Sequence, residues 1–222
     1  AFCSLKALHA EGFSFLTFFN WMVKSNIRAM CNNYIILSVN WIQLLHPNIL
    51  SMKHFLLQSE NLFEDCLSHL HQLSKDPETQ SILILSCDNN NLTDEQYNEL
   101  CCIDKPIFGG IFPQIIYGDK NHDKGVVICG LSQKADIRII KNLSDNNVDY
   151  EEQLDDSILD DDFKTMFVFV DGFASRISAF IDSLFNTYSL ELNFIGGGAG
   201  SLSMVQKPCI LTNDGLLQDV AI

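Results

Sequence analysis

Four glycines fall within five positions, Gly196-Gly197-Gly198-Ala199-Gly200, directly after the apolar residues that end at Ile195. Glycine loses more backbone entropy on folding than any other residue. A chain keeps several together where backbones come close or dihedrals are unusual. A phosphate loop would need Lys and then Ser or Thr after its last glycine, but Ser201-Leu202 follow. A dinucleotide fingerprint starting at Gly196 would need glycine at 201 and a helix behind it. Position 201 is serine, and the segment after it meets Pro208. What remains is a strand bulge or tight corner, where absent side chains prevent a clash. In its functional form, the bare backbone N–H groups of such a corner face a pocket and hold a small anion. A smaller glycine pair, Gly109-Gly110, interrupts another apolar run.

The 222 residues carry a formal charge of −14, a field that repels nucleic acid and anionic membrane surfaces. Neither is expected as a partner. The eight cysteines lack CxxC or Cys/His metal spacing, and only Cys101-Cys102 are adjacent. Reduced thiols in a cytoplasmic protein are the expectation. Residues 1–51 differ from the rest. Lys6, Glu11, Lys24 and Arg28 are their only charges, a balance of +2 that leaves −16 on residues 52–222. Polar residues interrupt the apolar runs too often for a membrane-spanning helix. Residues 1–51 therefore read as an apolar tail outside the domain, and 52–222 as the domain.

Within the domain, apolar spacing from Phe55 to Leu73 predicts a helix. Ser81–Cys87 is a continuous apolar run, as in a buried strand. Thr93 with Gln96 forms a capping-box pattern that starts a second helix. Lys105–Gly118 reads as a strand broken by Gly109-Gly110 and Pro113, and residues 118–125 as a polar turn. Val126–Leu131, Asp136–Leu143 and Thr165–Gly172 read as strands, and Ser175–Tyr188 as an amphipathic helix. Nine acidic residues and no Lys or Arg lie between Asp145 and Asp162, the composition of a solvated loop. Pro208–Ile222 has the form of a hairpin. The expected class is mixed α+β, predominantly β-sheet with flanking helices. Its order suggests two related β-α-β-β units, matching Asp88 with Asp171, Gly109-Gly110 with Gly196-Gly197, and Gly125 with Gly215.

Asp171-Gly172 ends a buried strand just before a helix, where ligands gather in α/β proteins and where helix capping also places Asp. The expected ligand-lining residues are Gly109, Gly110, Asp171, Gly172, Gly196, Gly197, Gly198 and Ser201. No catalytic constellation emerges, and a non-catalytic binding module is expected. The competing enzyme reading would use Cys209, two residues from Lys207, or Cys102. His122 is the candidate axial ligand should a haem be bound.

Three blocks, "KPIFGGIFPQIIY…DKGVVICGL", "VFVDG" and "GGGAGSLSMVQKPCILTNDGLLQDVA", resemble the N-terminal FIST domain (F-box and intracellular signal transduction), from about Phe55 to the end. The resemblance implies a sensory domain of a signal-transduction protein that binds a small molecule such as an amino acid. It also implies a C-terminal FIST partner domain and a signalling partner protein, neither contained in these residues, so the domain is expected to be incomplete at Ile222. One branch of the family implies nitric oxide sensing through haem, and another, with an F-box, implies a protein-interaction module.

If the domain begins at Met52, deletion of residues 1–51 leaves the remaining fold intact. The shortened chain should keep the circular-dichroism spectrum and the cooperative thermal transition of that fold. Aggregation of the short form alone would place those residues in the core.

Overall fold

A computed structural model describes residues 53–155, 165–188 and 193–222, so the expectation for residues 1–51 and the end of the acidic segment lie outside the described residues. The elements, in order, are β1 (Lys53–Leu57), α1 (Leu62–Lys75), β2 (Ser81–Cys87), a 3-10 turn (Asp88–Asn90), α2 (Asp94–Leu100) and β3 (Ile107–Phe112). Then come β4 (Ile115–Tyr117), β5 (Lys120–His122), β6 (Val126–Leu131), β7 (Ile140–Lys141), α3 (Tyr150–Asp155), β8 (Thr165–Asp171) and α4 (Ile177–Tyr188). The last are β9 (Asn193–Ala199), β10 (Ile210–Thr212), β11 (Gly215–Leu217) and β12 (Val220–Ala221). The class is mixed α+β, as expected.

Local chemistry explains most boundaries. The helical stripe begins at Leu62 rather than Phe55, because Phe55–Leu57 pair with β6 as a strand. Helix α1 turns its Leu62, Cys66, Leu70 and Leu73 face inward. Its last carbonyls are capped by the Lys105 ammonium, which reaches Leu73 O at 3.0 Å and also the carbonyls of Asp76 and Thr79. Thr93 and Gln96 form the expected capping box, closing the first turn of α2. Four further expectations are corrected by the structure. Gly109-Gly110 do not break their strand but lie inside β3, and Pro113 ends it. The polar turn holds strand β5, which pairs with β4 across Gly118-Asp119. Of Asp136–Leu143, only Ile140–Lys141 forms a strand. The acidic segment contains helix α3.

The strands form a sheet of order β1-β6-β2-β3-β10-β11, a second of order β7-β12-β8-β9, and the β4-β5 hairpin. The shared pattern β1-β6-β2-β3 and β7-β12-β8-β9 is an internal duplication. Each half runs strand, helix, strand, helix, strand, two-stranded hairpin, strand. In both, the second and third strands are parallel, and the last returns antiparallel between the first and second. The expected pair of related units is therefore present, with an extra strand and helix at the front of each.

Register corrects the expected matches between units. Gly109 lies opposite Ile84, and Gly196 opposite Val168, so those two correspond. Asp171 then corresponds to Cys87, one residue before Asp88, because Asp171 faces Ala199 as Cys87 faces Phe112. The hairpins align Gly215 with Lys120, not with Gly125. Between third strand and hairpin, the first unit has only Pro113 and Gln114, whereas the second has Gly200 through Cys209.

Phe112 and Phe169 meet with ring centroids 5.9 Å apart, and Phe108 and Phe167 at 5.3 Å, joining the two sheets. Beside them β3 and β9 approach closely, with Gly200 N–H donating to Ile111 O at 2.8 Å. A Cβ on Gly110 would stand 3.0 Å from the Ala199 Cβ and 3.0 Å from the Cys209 carbonyl oxygen.

An ideal Cβ on Gly109 would lie 1.8 Å from the Ile84 carbonyl oxygen, and one on Gly196 would lie 1.7 Å from that of Val168. Both clashes are with backbone, so no rotamer relieves them. Gly109→Ala and Gly196→Ala should each cost at least about 3 kcal/mol. Gly118→Ala meets nothing within 4 Å and bears only the strain of φ +65°, about 1 kcal/mol. Urea denaturation of the three variants checks this order.

Candidate functional site

Strands β2 and β8 each run into an aspartate. Asp88 opens the 3-10 turn directly after β2, and Asp171 is the last residue of β8. The C-terminal ends of parallel strands are where open α/β sheets hold ligands, because loops rather than helices cross there. At the first end, the Asn90 side chain fixes the turn by donating to Gly125 O at 2.8 Å and accepting from Gly125 N–H at 2.6 Å. At the second, Phe173 N–H donates to Asp171 Oδ1 at 3.0 Å, and Gly172 N–H donates to Ala199 O at 2.8 Å. A Cβ on Gly172 would come within 2.8 Å of that same carbonyl oxygen.

The Gly200–Cys209 loop, with its eight extra residues, is fastened to both aspartates. Asp88 accepts from Ser201 Oγ at 2.6 Å and Leu202 N–H at 3.3 Å, and it pairs with the Lys207 ammonium at 2.5 Å. Burial pushes the Asp88 carboxyl up. The Lys207 ammonium and the Ser201 hydroxyl outweigh burial and hold it below the usual carboxylate range. Asp171 has no exposed surface and accepts from Gln206 Nε2 and Asp219 N–H, each at 2.8 Å. Buried Ser201 also accepts from Ser203 N–H at 3.1 Å, tightening the first turn of the loop. Beside these hydrogen-bonded groups, the loop presents Leu202, Met204 and Val205 outward, at 56%, 54% and 63% exposure.

Of the residues expected from sequence, Asp171 and Ser201 belong to this loop-and-carboxylate assembly. Gly172 borders it, with its ideal Cβ 3.7 Å from Gly198 Cα. Gly110 lies against Cys209 at the root of the loop. Gly109 and Gly196 instead seat their strands against the carbonyls of Ile84 and Val168, and Gly197 is buried opposite Phe169. Sequence reading missed Asp88, Ser203, Gln206 and Lys207 as site residues. Asp88 carried a signal, since it closes an apolar run as Asp171 does. The partner of Lys207 is 119 residues away, and no local pattern announces it.

The alternative chemistries find a poorer setting. Cys209 is fully buried, and its thiol is pushed well up, first by burial and then by the Asp171 carboxylate. The Lys207 ammonium is bound to Asp88. A nucleophilic thiolate needs the reverse arrangement. Cys102 is exposed and donates to Asn98 O at 3.3 Å. His122 lies on the β4-β5 hairpin, where Lys120 and Asn121 are exposed, with its Nδ1 3.0 Å from Gln58 Nε2. Strand β5, Lys-Asn-His, does not itself make the apolar wall a haem requires. Among the described residues, no group of three His, Cys, Asp or Glu side chains is placed to hold a metal ion. None of the described helices is long and apolar enough to cross a membrane.

A family model described as the FIST N domain matches residues 68–222. No curated protein and no solved structure matches the chain.

The latch on Asp88 predicts an acid limit for the loop. The folded-state pKa is depressed, so the stabilisation is present above the unfolded value of about 3.9. It is lost as pH falls from about 4 through the lower folded value. Amide protection factors in Leu202–Gln206, taken against the intrinsic rate at each pH, should fall over that interval while β2 stays protected. Asp88→Asn should give the fast loop already at pH 7 and cost about 1–2 kcal/mol in a denaturation midpoint.

Proposed function

We propose that this chain, which belongs to the FIST N domain family associated with signal transduction, is a small-ligand-binding sensory domain. Its ligand sits where the Gly200–Cys209 loop meets the ends of β2 and β8. The observation that carries this reading is the asymmetry of the duplication. Only the second unit has the long loop, and that loop is pinned to carboxylates from both units. An insertion that bridges two strand ends through polar groups suits a lid better than a structural connection, for which the first unit needs two residues.

The ligand class that suits the lid is an amino acid. Asp88 offers a carboxylate for an ammonium group, and Lys207 offers an ammonium for a carboxylate. Ser201 and Gln206 supply neutral hydrogen bonds, and the backbone of Gly198 lies beside Gly172. In the closed loop the two charges satisfy each other. A zwitterion would replace each partner with one of equal charge, leaving neither group unpaired. Signalling would follow from the loop changing its outward face, through the C-terminal FIST domain and a signalling protein in the cytoplasm. No covalent step is part of this reading.

A thermal-shift panel of the amino acids tests it. A ligand at one hundred times its dissociation constant stabilises by about 2.7 kcal/mol, roughly 5–10 °C for a domain of this size. At least one amino acid should give such a shift, and Asp88→Asn and Lys207→Gln should each abolish it. A panel without shifts removes the reading. A shift that survives both substitutions moves the site elsewhere.

A further inference from the structure

The two hairpins of the duplication are held in different ways. The second, β10-β11, is built into the large sheet, where β10 pairs with β3 from Ile210 opposite Gly110 to Thr212 opposite Phe108. The first, β4-β5, forms a sheet of its own two strands. A two-stranded hairpin is marginal in water without further support. Here support comes from buried Ile115, from the Cys87 thiol, which donates to His122 O at 3.3 Å, and from two side-chain contacts with the β1 segment. His54 on β1 has its Nδ1 2.9 Å from the Tyr117 hydroxyl. Gln58, directly after β1, has its Nε2 3.0 Å from His122 Nδ1 and also donates to Lys124 O.

The two histidine contacts respond to a proton in opposite ways. A hydroxyl both donates and accepts, so Tyr117 meets His54 Nδ1 whether that nitrogen is bare or protonated. The Gln58 junction has no such freedom. Lys124 O only accepts, which fixes the amide with its NH2 group toward the hairpin. The second amide hydrogen is left for His122 Nδ1, which must be bare, with the ring proton on Nε2. A proton added at Nδ1 sets two donors against each other. Turning the amide over would offer Oε1 to that proton but set it against Lys124 O, so one bond of the junction is lost either way. The charged groups around His122 are Asp119, Lys120, Asp123 and Lys124 of the hairpin segment, all exposed, and Asp88 directly after β2. The Cys87 thiol is pushed up to about 12, first by burial, and burial also pushes the Tyr117 hydroxyl up. Of the groups that make these contacts, only the imidazoles belong to the class that titrates between about pH 5 and 8.

We propose that the Gln58–His122 contact is a proton-sensitive latch. With His122 neutral it holds the β4-β5 hairpin to the end of β1, and protonation of His122 releases it, while the His54–Tyr117 contact stays made. The latch contributes stability at high pH, and that contribution is lost as pH falls through the histidine range. The inference rests on the hydrogen-bond geometry of this hairpin and is independent of the ligand reading.

Nuclear magnetic resonance of the 222-residue chain tests it. At about pH 8 the imidazole nitrogen shifts should show His122 in the Nε2–H form. Amide protection factors in β4 and β5, taken against the intrinsic rate at each pH, should fall at least about threefold between about pH 8 and 5, the effect of losing one net hydrogen bond. Strand β2 should stay protected throughout. His122→Asn keeps an acceptor close to where Nδ1 stood and should make the protection of the hairpin independent of pH. Gln58→Glu presents a carboxylate to the imidazole and should invert the dependence, with the hairpin better protected at the acid end. His54→Gln should leave the dependence as in the parent chain. Four results overturn the proposal: an Nδ1–H form of His122 at the alkaline end, hairpin protection in the parent that ignores pH, a dependence that survives His122→Asn, or one that disappears in His54→Gln.

Discussion

The closest constraint in this fold is the fit between a glycine and the carbonyl oxygen of the strand beside it. Gly109 against Ile84 and Gly196 against Val168 leave no space for a Cβ. Each contact lies within a parallel pair, β2 with β3 and β8 with β9, around which the rest of its unit is arranged. Because the same contact occurs once per unit, it also sets the alignment of the two units. The aromatic contacts of β3 with β8 and the close approach of β3 to β9 build on those pairs.

A duplicated fold does not by itself make a site; the departures from symmetry do. One departure stands out here. The loop after β9 is ten residues long where its counterpart is two, and it carries the polar groups that reach Asp88 and Asp171. Asp171, at the end of β8, is wholly enclosed with its hydrogen-bond donors supplied.

Patterns local in the chain were legible without coordinates. The apolar runs of β2, β6 and β8, the capping box at Thr93, the face of α4 and the hairpin at Asn213-Asp214 all follow from short-range periodicity and turn chemistry. The repeated order of elements was visible as well. Its register was not, because a shift of one residue leaves an apolar run looking the same while it exchanges Asp88 for Cys87 as the partner of Asp171. Tertiary structure decided that the glycines lie inside strands rather than at corners, since only a neighbouring carbonyl reveals why a side chain is forbidden there. It also decided that Lys207 serves Asp88 instead of activating Cys209. The sequence places that lysine two residues from the thiol and 119 from the carboxylate, and folding reverses the order of proximity.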